Sequence, residues 1–349
     1  MVLLIIIGLV MIYSSSYIWA KYKFNDSFRY LKHQLVFAII GFVIMNIVIK
    51  LNNNFYYKKA NLLLGICLLL LILVLIPGVG VIRNGSRSWF GIGPFGIQPS
   101  EAMKLALLIF SSKYLSKFDN VKLKDIIPLG IVIGIVFLLI MLQPDFGTGF
   151  ILVMSIISII FISGFDYKYF LYFIIFGGIG AAGLIIIAPY RMARILSFIN
   201  PWKDPLGSGF QIIQSLYAIG PGGIFGYGLF NSVQKHFYLP EPQTDFIFSI
   251  ICEELGIIGA FLVISLFVIF IYSSIKLALL EEDKFKKYVI FGIAFQIIFQ
   301  TVLNLSVVCG LIPVTGVTLP FISYGGSSLL ISMISVAIIL NISQTNINK

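Results

Sequence analysis

Two aspartates in polar turns are the residues of this sequence best placed to do chemistry. Asp245 ends the polar string Tyr238–Asp245 and precedes a long apolar run, and Asp145 lies in the short turn Gln143–Thr148 between two apolar runs. Asp245 or its neighbour Thr244 could cap the helix that follows, and Asp145 could cap its own helix. A carboxylate in either place could also act as a general base toward an attacking hydroxyl group.

Basic and amide side chains in the polar segments could hold a phosphorylated substrate. Arg191 and Arg194 are three residues apart, so their guanidinium groups could clamp a phosphate or diphosphate by paired hydrogen bonds. The further candidates for substrate contact are Arg87, Gln98, Gln214 and Gln243, and Arg83 and Lys235 add positive charge on the same face. Apolar walls below these groups would suit a lipid tail. The set favours a substrate with a polyprenyl chain and a diphosphate head.

Four further charged residues lie inside apolar runs. Glu101 and Lys104 are three residues apart on one helical face and could neutralise each other. Such a pair either lines a cavity or only holds helices together, because unpaired charges inside a membrane are costly. Glu253 and Glu254 lie roughly 12–14 Å along a helix from Asp245. They are too far away to contact the same substrate atom, and we favour a structural role over a proton relay.

Other kinds of catalytic site are not indicated. The two histidines and three cysteines have no spacing typical of a nucleophile–base pair, a disulfide or a metal site. The remaining candidates are carboxylates and cations, and glycosyl transfer from a lipid diphosphate needs only these. One carboxylate deprotonates the acceptor hydroxyl, and cations stabilise the leaving group. A divalent cation, Mg²⁺ or Mn²⁺, could assist the diphosphate with Asp245 and Asp145 as ligands.

The composition indicates a membrane protein. Hydrophobic residues make up 59% of the chain, charged residues 11%, and the mean hydropathy is +1.03. Windows long enough to cross a membrane core of about 30 Å fall at 2–20, 33–51, 60–77, 99–115, 126–143, 148–164, 167–188, 248–275, 286–309 and 321–341. We therefore predict an all-α integral membrane protein of about ten transmembrane helices, forming one domain over residues 1–349.

Charge in the short loops predicts the topology. Thirteen basic residues fall on the side of both termini and six in the short loops of the opposite side, which places both termini in the cytoplasm. The net charge of +10 therefore indicates contact with anionic membrane lipids rather than nucleic acid. The large loop of about 189–247, between spans 7 and 8, faces outward with Asp245. Within it, 212–219 suits a short helix, and Gly220–Gly223 suits a turn for close backbone packing rather than a nucleotide-binding loop.

Seven strings, in order along the whole chain, resemble the SEDS (shape, elongation, division and sporulation) family. They are 83–89, 98–104, 143–148, 200–215, 238–248, 253–256 and 313–328. The amino-acid sequences of these strings are most similar to the SpoVE and FtsW branches of Gram-positive spore formers. One departure concerns the family's Arg-Trp pair, because here Ser88 precedes Trp89 and the arginine is Arg87.

The resemblance implies a ten-span glycosyltransferase of the bacterial cell membrane. Such enzymes polymerise lipid II into peptidoglycan beside a class B penicillin-binding transpeptidase. The resemblance also implies that Asp245 is the general base and that Glu101 and Lys104 line the central cavity. Transfer from an α-linked donor to a β-linked product would be inverting, for which a single base suffices.

Two other functions remain open. In a lipid II flippase, the charged residues within spans would form a translocation path. In a scaffold without enzymatic activity, the apolar helices would dock the transpeptidase. The position of Asp245 beside a polar outer loop favours the enzyme over the flippase.

Overall fold

A computed structural model describes residues 1–347 except 53, 84, 93–94 and 188, with the backbone alone for 92, 95, 173–174, 176, 181, 184–185, 187, 189–191 and 345–347. The chain is mainly α-helical. The helices are α1 Val2–Phe24, α2 Arg29–Ile49, α3 Asn54–Leu75, α4 Pro99–Leu115, α5 Leu123–Met141, α6 Phe146–Ile162, α7 Lys168–Ile187, α8 Pro189–Ile199, α9 Phe210–Ile219, α10 Ile247–Leu280, α11 Lys284–Val308 and α12 Gly326–Ile347. Strands β1 Val81–Arg83, β2 Ser86–Ile92 and β3 Phe95–Ile97 form an antiparallel sheet in that order.

Seven helices in the described part of the chain are long and apolar enough to cross a membrane. They are α1, α2, α3, α5, α10, α11 and α12, with mean hydropathies between 1.8 and 2.8. Helices α4, α6 and α7 coincide with the other three predicted spans, and α4 and α6 have 17 residues each. An all-α membrane protein with several spans is thus confirmed, whereas the number ten stays a prediction.

The bundle is built around α4 and α11. Helix α4 buries Met103 and the run 105–109, and it packs against α3, α6 and α11. In α11, 61% of the apolar window is buried, compared with 22% in α5. Helix α12 closes the bundle by packing along α2. Polar side chains on α4 and α11 are therefore held in the interior, where they must be paired or face a cavity.

Helix α10 is broken at Gly256 by the turn that follows α9. Gly256 has φ +63° and ψ −158°, and the amide of Ile257 donates to the Gly223 carbonyl at 3.0 Å. The carbonyl of Glu253 accepts from the Tyr227 amide at 2.9 Å. A backbone break at membrane depth is tolerated only where its polar groups are satisfied in this way. The predicted close packing of the Gly220–Gly223 turn is confirmed, because a Cβ on Gly222 would collide with the Cys252 carbonyl.

The segment 189–246 contains short helices and no long span. Helix α8 is followed by a 3₁₀ turn at Pro201–Lys203, then by α9 and a second 3₁₀ turn at Gly220–Gly222. Helix α9 buries Ile212, Ile213 and Ala218, as expected for a short helix with one apolar face. The short helix predicted in this segment is confirmed. The segment ends at the start of α10, beside Asp245.

Candidate active site

A cavity of about 1460 Å³ holds most of the residues predicted to act on substrate. Its wall is formed by β1 and β2, the first turns of α4, α6 and α12, the middle of α8, most of the string 237–245, the string 312–318 and part of α11. Of the predicted site residues, the lining includes Gln98, Glu101, Lys104, Asp145, Arg194 and Asp245. The first turns of three helices thus meet at one cavity, at the ends of the helices rather than in the middle of the bundle.

Asp245 lies half-buried in this wall, in the loop before α10. The Thr244 hydroxyl donates to Asp245 Oδ1 at 2.8 Å, and Asn304 Nδ2 on α11 donates to the Asp245 carbonyl at 2.7 Å. Burial raises the pKa of the Asp245 carboxyl above its usual 3.8, although the Thr244 hydrogen bond partly opposes this. A raised pKa makes the carboxylate a stronger proton acceptor.

The predicted capping of α10 by Asp245 or Thr244 is wrong. The N-cap is Phe246, and the start of α10 has no side-chain capping hydrogen bond among the described residues. Thr244 instead donates to the Glu241 carbonyl at 2.7 Å and to Asp245. The Asp245 carboxylate is therefore not used to hold the helix end, and it belongs to the cavity wall.

Asp145 has a different environment in the same wall. It is the N-cap of α6, with Oδ1 accepting from the Thr148 amide at 3.2 Å, so the predicted cap is confirmed. Its Oδ2 accepts from Gln98 Nε2 at 2.8 Å. Burial raises the pKa of the Asp145 carboxyl as well, with Thr148 opposing the shift. Because both oxygens are engaged, Asp145 is less suited than Asp245 to take a proton from a substrate.

The donor set allows a divalent cation only with help from substrate. Across the described ranges, no group of three or more His, Cys, Asp or Glu residues could hold a metal ion. Asp145 and Asp245 do line one cavity. Mg²⁺ is commonly held by one or two carboxylates, with phosphate oxygens and waters completing its shell. Both carboxylates line this cavity, and a cation there would need phosphate oxygens of a substrate to complete its shell.

Glu101 and Lys104 form the predicted ion pair. Lys104 Nζ is 3.0 Å from Glu101 Oε1, and the two side chains are 2% and 9% exposed. Lys104 Nζ also donates to Gln300 Oε1 at 3.1 Å, and Gln300 Nε2 donates to the Thr318 carbonyl at 2.9 Å. The pair lines the cavity. It connects α4 through α11 to the string 312–318.

The predicted arginines are distributed differently from expectation. Arg194 lines the cavity and its Nη1 donates to the Val314 carbonyl at 3.0 Å. Arg191 lies on α8, but its side chain is outside the described residues. On β2, Ser86 and Ser88 line the cavity with their hydroxyls 2.9 Å apart. Arg87 lies between them and therefore points to the other face of the strand.

Two predicted glutamines also lie elsewhere in the described part of the protein. Gln243 is buried, and its carbonyl accepts from the Tyr324 amide at 2.8 Å. On α9, the glutamine in the lining is Gln211 rather than Gln214. Arg83 lines the cavity and lies over the Trp89 ring, with Cζ 5.1 Å from the ring centroid. Arg83 therefore replaces Arg87 as the arginine of this sheet that faces the cavity.

A second group of charges is fully buried beside the break in α10. Lys235 Nζ is 2.8 Å from Glu254 Oε1, and both side chains are 0% exposed. The Ser14 hydroxyl on α1 donates to Glu254 Oε2 at 2.6 Å, and the Ser232 hydroxyl donates to Glu253 Oε2 at 2.5 Å. These contacts favour the structural role for both glutamates. Lys235 also belongs to the cavity lining, but its charge is neutralised by Glu254.

Three buried amides of the site were missed. Asn304 Nδ2 bridges the carbonyls of Asp245 and Val317, at 2.7 Å each. Gln34 on α2 holds the segment before α12, donating to the Ser323 carbonyl at 3.2 Å and accepting from the Gly325 amide at 3.1 Å. Gln300 and Asn304 are four residues apart in an apolar helix, so they lie on one face. That spacing was the pattern that could have identified them.

Comparison with known proteins agrees with this architecture. The family model FTSW_RODA_SPOVE, described as cell cycle protein, matches residues 1–348. Stage V sporulation protein E of Bacillus subtilis (strain 168) is 52% identical, with 98% of this chain and 94% of the relative covered. The probable peptidoglycan glycosyltransferase FtsW of Geobacter sp. (strain M18) is 39% identical, over 98% and 94% of the two chains.

Two solved structures extend the similarity to the fold. A chain of a peptidoglycan synthase complex, solved to explain the coordination of polymerization and crosslinking, aligns with a TM-score of 0.80 at 29% identity, covering 99% of this chain and 98% of that one. The rod shape determining protein RodA of Thermus thermophilus aligns with a TM-score of 0.73 at 27% identity, covering 98% and 94%. Both alignments cover nearly the whole chain, so the similarity concerns the overall fold.

Proposed function

The chain belongs to the FtsW, RodA and SpoVE family of cell cycle proteins, and from this premise we propose that it is a peptidoglycan glycosyltransferase that polymerises lipid II with Asp245 as general base. Several of its relatives are named peptidoglycan glycosyltransferases. The observation that carries the residue assignment is the position of Asp245 in the wall of the large cavity, with a raised pKa and no helix-capping role.

The proposed reaction needs one proton acceptor and positive charge. The acceptor sugar hydroxyl gives its proton to the Asp245 carboxylate while its oxygen attacks the anomeric carbon of the donor. The bond from that carbon to the lipid diphosphate breaks, and the diphosphate leaves with the electron pair. Attack from the opposite face inverts the configuration, so no carboxylate is needed as a nucleophile. Because the diphosphate leaves as a stabilised anion, no carboxyl group is needed as a general acid either. Arg194 and Arg83 in the wall are suited to stabilise the charge of the leaving group.

A divalent cation such as Mg²⁺ or Mn²⁺ would supply further neutralisation of the diphosphate. Asp145 and Asp245 are the residues that would hold it. Without a cation, Asp145 is a positioning residue, because its two oxygens fix the start of α6 and the side chain of Gln98. Lys104 is neutralised by Glu101, so the pair shapes the cavity without adding net charge.

We place the protein in the bacterial cell membrane with both termini in the cytoplasm and the cavity open to the outer face. The distribution of basic residues in the short loops supports this orientation. We also propose a class B penicillin-binding transpeptidase as partner. The support is the similarity, at a TM-score of 0.80, to a chain of a peptidoglycan synthase complex. Apolar side chains exposed on α5 and on the second half of α10 would contact membrane lipids.

A lipid II flippase remains the second candidate. The observation in its favour is the Glu101–Lys104 pair, which brings charge into the part of the cavity lined by α4. Transport of labelled lipid II across vesicles that contain the purified protein distinguishes the two functions. A flippase would move the lipid without forming polymer, and Asp245→Asn would leave its transport unchanged. In a scaffold without activity, neither polymer nor transport would be observed.

The first experiment compares wild type with Asp245→Asn and Asp204→Asn. Labelled lipid II is supplied to the purified proteins with the cognate transpeptidase and a divalent cation, and the products are separated by chain length. We expect Asp245→Asn to lose roughly 10²–10⁴-fold in rate, as for removal of a general base. Asp204 is an exposed aspartate of the same loop that accepts from the Ser208 amide, so Asp204→Asn should polymerise normally. Near wild-type polymer from Asp245→Asn would contradict the assignment.

A further inference from the structure

The first turn of α12 opens onto the same cavity as Asp245. Gly325, Gly326, Ser327 and Ser328 all belong to the cavity lining, and α12 has 22 residues. The first amides of a helix have no acceptor within the helix, and they carry the positive end of its dipole. This combination makes a helix N-terminus suited to an anion. In α12 these amides belong to Gly326–Ser328.

A second observation at this turn is a buried hydroxyl without a partner. Ser327 is 2% exposed, and its Oγ has no hydrogen bond to any described residue. Other hydroxyls nearby are engaged: Ser328 Oγ is 3.3 Å from Thr318 Oγ1, and Ser323 Oγ accepts from the Leu319 amide at 2.8 Å. A buried polar group that is left unpaired is costly. In a cavity wall it indicates a place where a polar group of a ligand binds.

We propose that the first turn of α12, with the amides of Gly326–Ser328 and the Ser327 hydroxyl, binds a phosphate of the lipid-linked diphosphate. This inference rests on the proposed function and assigns the site of the donor's leaving group. A lipid-linked diphosphate, free diphosphate and a phospholipid headgroup share one chemistry here, a phosphate oxygen that accepts several hydrogen bonds from one turn. The cavity wall adds positive charge through Arg83.

Electrostatics and backbone shape at the turn agree with this assignment. Burial raises the pKa of the Tyr324 hydroxyl, whereas the positive charges of Arg83 and Arg29 act in the opposite direction, so both cations lie within electrostatic reach of the residue before Gly325. An ideal Cβ on Gly325 would meet Ser328 Cβ at 3.7 Å and no atom more closely. A methyl group on Gly325 would therefore fit at ordinary van der Waals distance beside Ser328 and Thr318, which both line the cavity.

The turn is closely connected to the backbone of Asp245. Asn304 bridges the carbonyls of Asp245 and Val317, and the next residue, Thr318, contacts Ser328. The Tyr324 amide donates to the Gln243 carbonyl at 2.8 Å. The base and the turn are therefore parts of one hydrogen-bonded wall. A donor with its diphosphate at this turn would therefore lie against the same wall as Asp245.

The test measures binding of farnesyl diphosphate to the purified full-length protein in detergent. We expect Ser327→Ala to weaken binding roughly tenfold or more, because a hydrogen bond to a charged group is lost. The matched control is Ser111→Ala, since the Ser111 hydroxyl on α4 is likewise buried and without a partner among described residues but lies outside the cavity lining. Ser111→Ala should bind as wild type does. Equal affinity of Ser327→Ala and wild type would overturn the inference.

A second variant tests the shape of the site. Gly325→Ala places a methyl group where the protein has room and the phosphate would lie. We expect it to weaken binding of farnesyl diphosphate at least fivefold while the melting temperature without ligand stays within a degree or two of wild type. Ser327→Ala should not lower that melting temperature either, because it removes a hydroxyl that has no protein partner. Unchanged binding by Gly325→Ala would contradict an approach of the phosphate to this backbone.

Further ligands identify the source of the phosphate. Tighter binding of farnesyl diphosphate than of inorganic pyrophosphate, with both weakened by Ser327→Ala, supports a lipid-linked diphosphate. Equal affinities for farnesyl diphosphate and inorganic pyrophosphate would indicate a site for free diphosphate. If dioleoyl phosphatidylglycerol displaced labelled farnesyl diphosphate as effectively as the unlabelled compound does, the site would bind an ordinary lipid headgroup. Either result overturns the assignment. Farnesol, which has the tail without the anion, should be insensitive to Ser327→Ala.

The inference and the proposed function can fail separately. Measured without a divalent cation, Asp245→Asn should keep the wild-type affinity for farnesyl diphosphate, whereas with the cation and the transpeptidase supplied it should form little or no polymer. A wild-type protein that forms no polymer but binds farnesyl diphosphate through Ser327 would refute the proposed function and leave the anion site intact. A polymerase that depends on Asp245 but is indifferent to Ser327→Ala in binding and in rate would refute the anion site alone.

Discussion

The two cavity aspartates show how local hydrogen bonds divide roles between identical side chains. Asp145 uses Oδ1 to cap α6 and Oδ2 to hold Gln98, whereas Asp245 accepts from the Thr244 hydroxyl beside it. A capping carboxylate that gains a proton would weaken its helix end. Asp245 can gain one without that penalty. This difference, rather than a difference in burial, favours Asp245 as the proposed base.

The raised pKa of Asp245 predicts how polymerisation depends on pH. A general base works only when deprotonated, and burial moves the pKa of this carboxyl above 3.8. The rate should therefore fall as pH is lowered, with a slope of one in log rate against pH and a midpoint above 3.8. The pH profile is measured as initial rates at saturating lipid II. Protein exposed to each pH is returned to neutral pH, where it should recover its full rate, so that a loss by unfolding is excluded. A rate that stays constant down to pH 3.8 would exclude Asp245 as the base.

The buried Glu101–Lys104 pair predicts strong coupling between two substitutions. Glu101→Gln leaves the Lys104 ammonium with Gln300 as its remaining neutral partner, and we expect a loss of about 3 kcal/mol in unfolding free energy. Lys104→Met should be similarly harmful because it leaves a buried carboxylate. The double variant should recover much of the loss, since no unpaired charge remains.

Thermal unfolding of the four proteins in one detergent gives the coupling energy. Additive effects would mean that the two charges are solvated independently by cavity water. The sequence predicted this ion pair because its partners are three residues apart on one helix. It did not predict Gln300 as the third member, since that contact joins residues separated by 196 positions.

At the scale of elements, the break in α10 is the feature that hydropathy could not reveal. The apolar window 248–275 predicts one continuous span, and an isolated glycine within it is unremarkable. The position of the break depends on the turn after α9, whose carbonyls at Gly223 and Ile224 accept from the amides of Ile257 and Ile258. Hydrophobic periodicity reports the environment of a single segment, so it contains no information about a partner that arrives from another part of the chain.

The break predicts that Gly256 tolerates no side chain. Gly256→Ala would have to adopt φ +63°, and its Cβ would collide with the Ile224 carbonyl. We expect a loss of about 2–4 kcal/mol in stability, seen as a lower melting temperature and weaker expression. The control is Gly130→Ala on α5, where an added Cβ meets nothing within 4 Å. That variant should be neutral or slightly stabilising, since alanine favours helix. Similar melting temperatures for the two variants would argue against a rigid break.

At the scale of the whole molecule, the class of protein and most helices were predictable, and the closure of the bundle was not. All ten apolar windows coincide with helices, because length and hydropathy are properties of one segment. The cavity instead depends on contacts such as Gln34 with Gly325, which are 291 residues apart. Arg87 could not be assigned from the sequence for the same reason. Only the packing of the sheet against the cavity decides that Ser86 and Ser88 face it and that Arg87, between them, does not.

The predicted topology can be tested by labelling single cysteines in cells. Ser208 is exposed in the large loop and Glu282 is exposed between α10 and α11. With the native Cys309 replaced by serine, because it too is exposed, Ser208→Cys should react with a membrane-impermeant maleimide in intact cells. Glu282→Cys should react only after the membrane is opened. Labelling of Glu282→Cys in intact cells would reverse the orientation and place the cavity on the cytoplasmic face.

The place of α12 in the chain has a consequence for biogenesis. Translation delivers Asp245, Arg194 and the Glu101–Lys104 pair to the membrane before residues 313–328 leave the ribosome. Until then Gln34 has neither Ser323 nor Gly325 to bind, and one wall of the cavity does not exist. A nascent chain therefore carries its carboxylates before the cavity has closed around them. The cavity is complete only once α12 has been inserted.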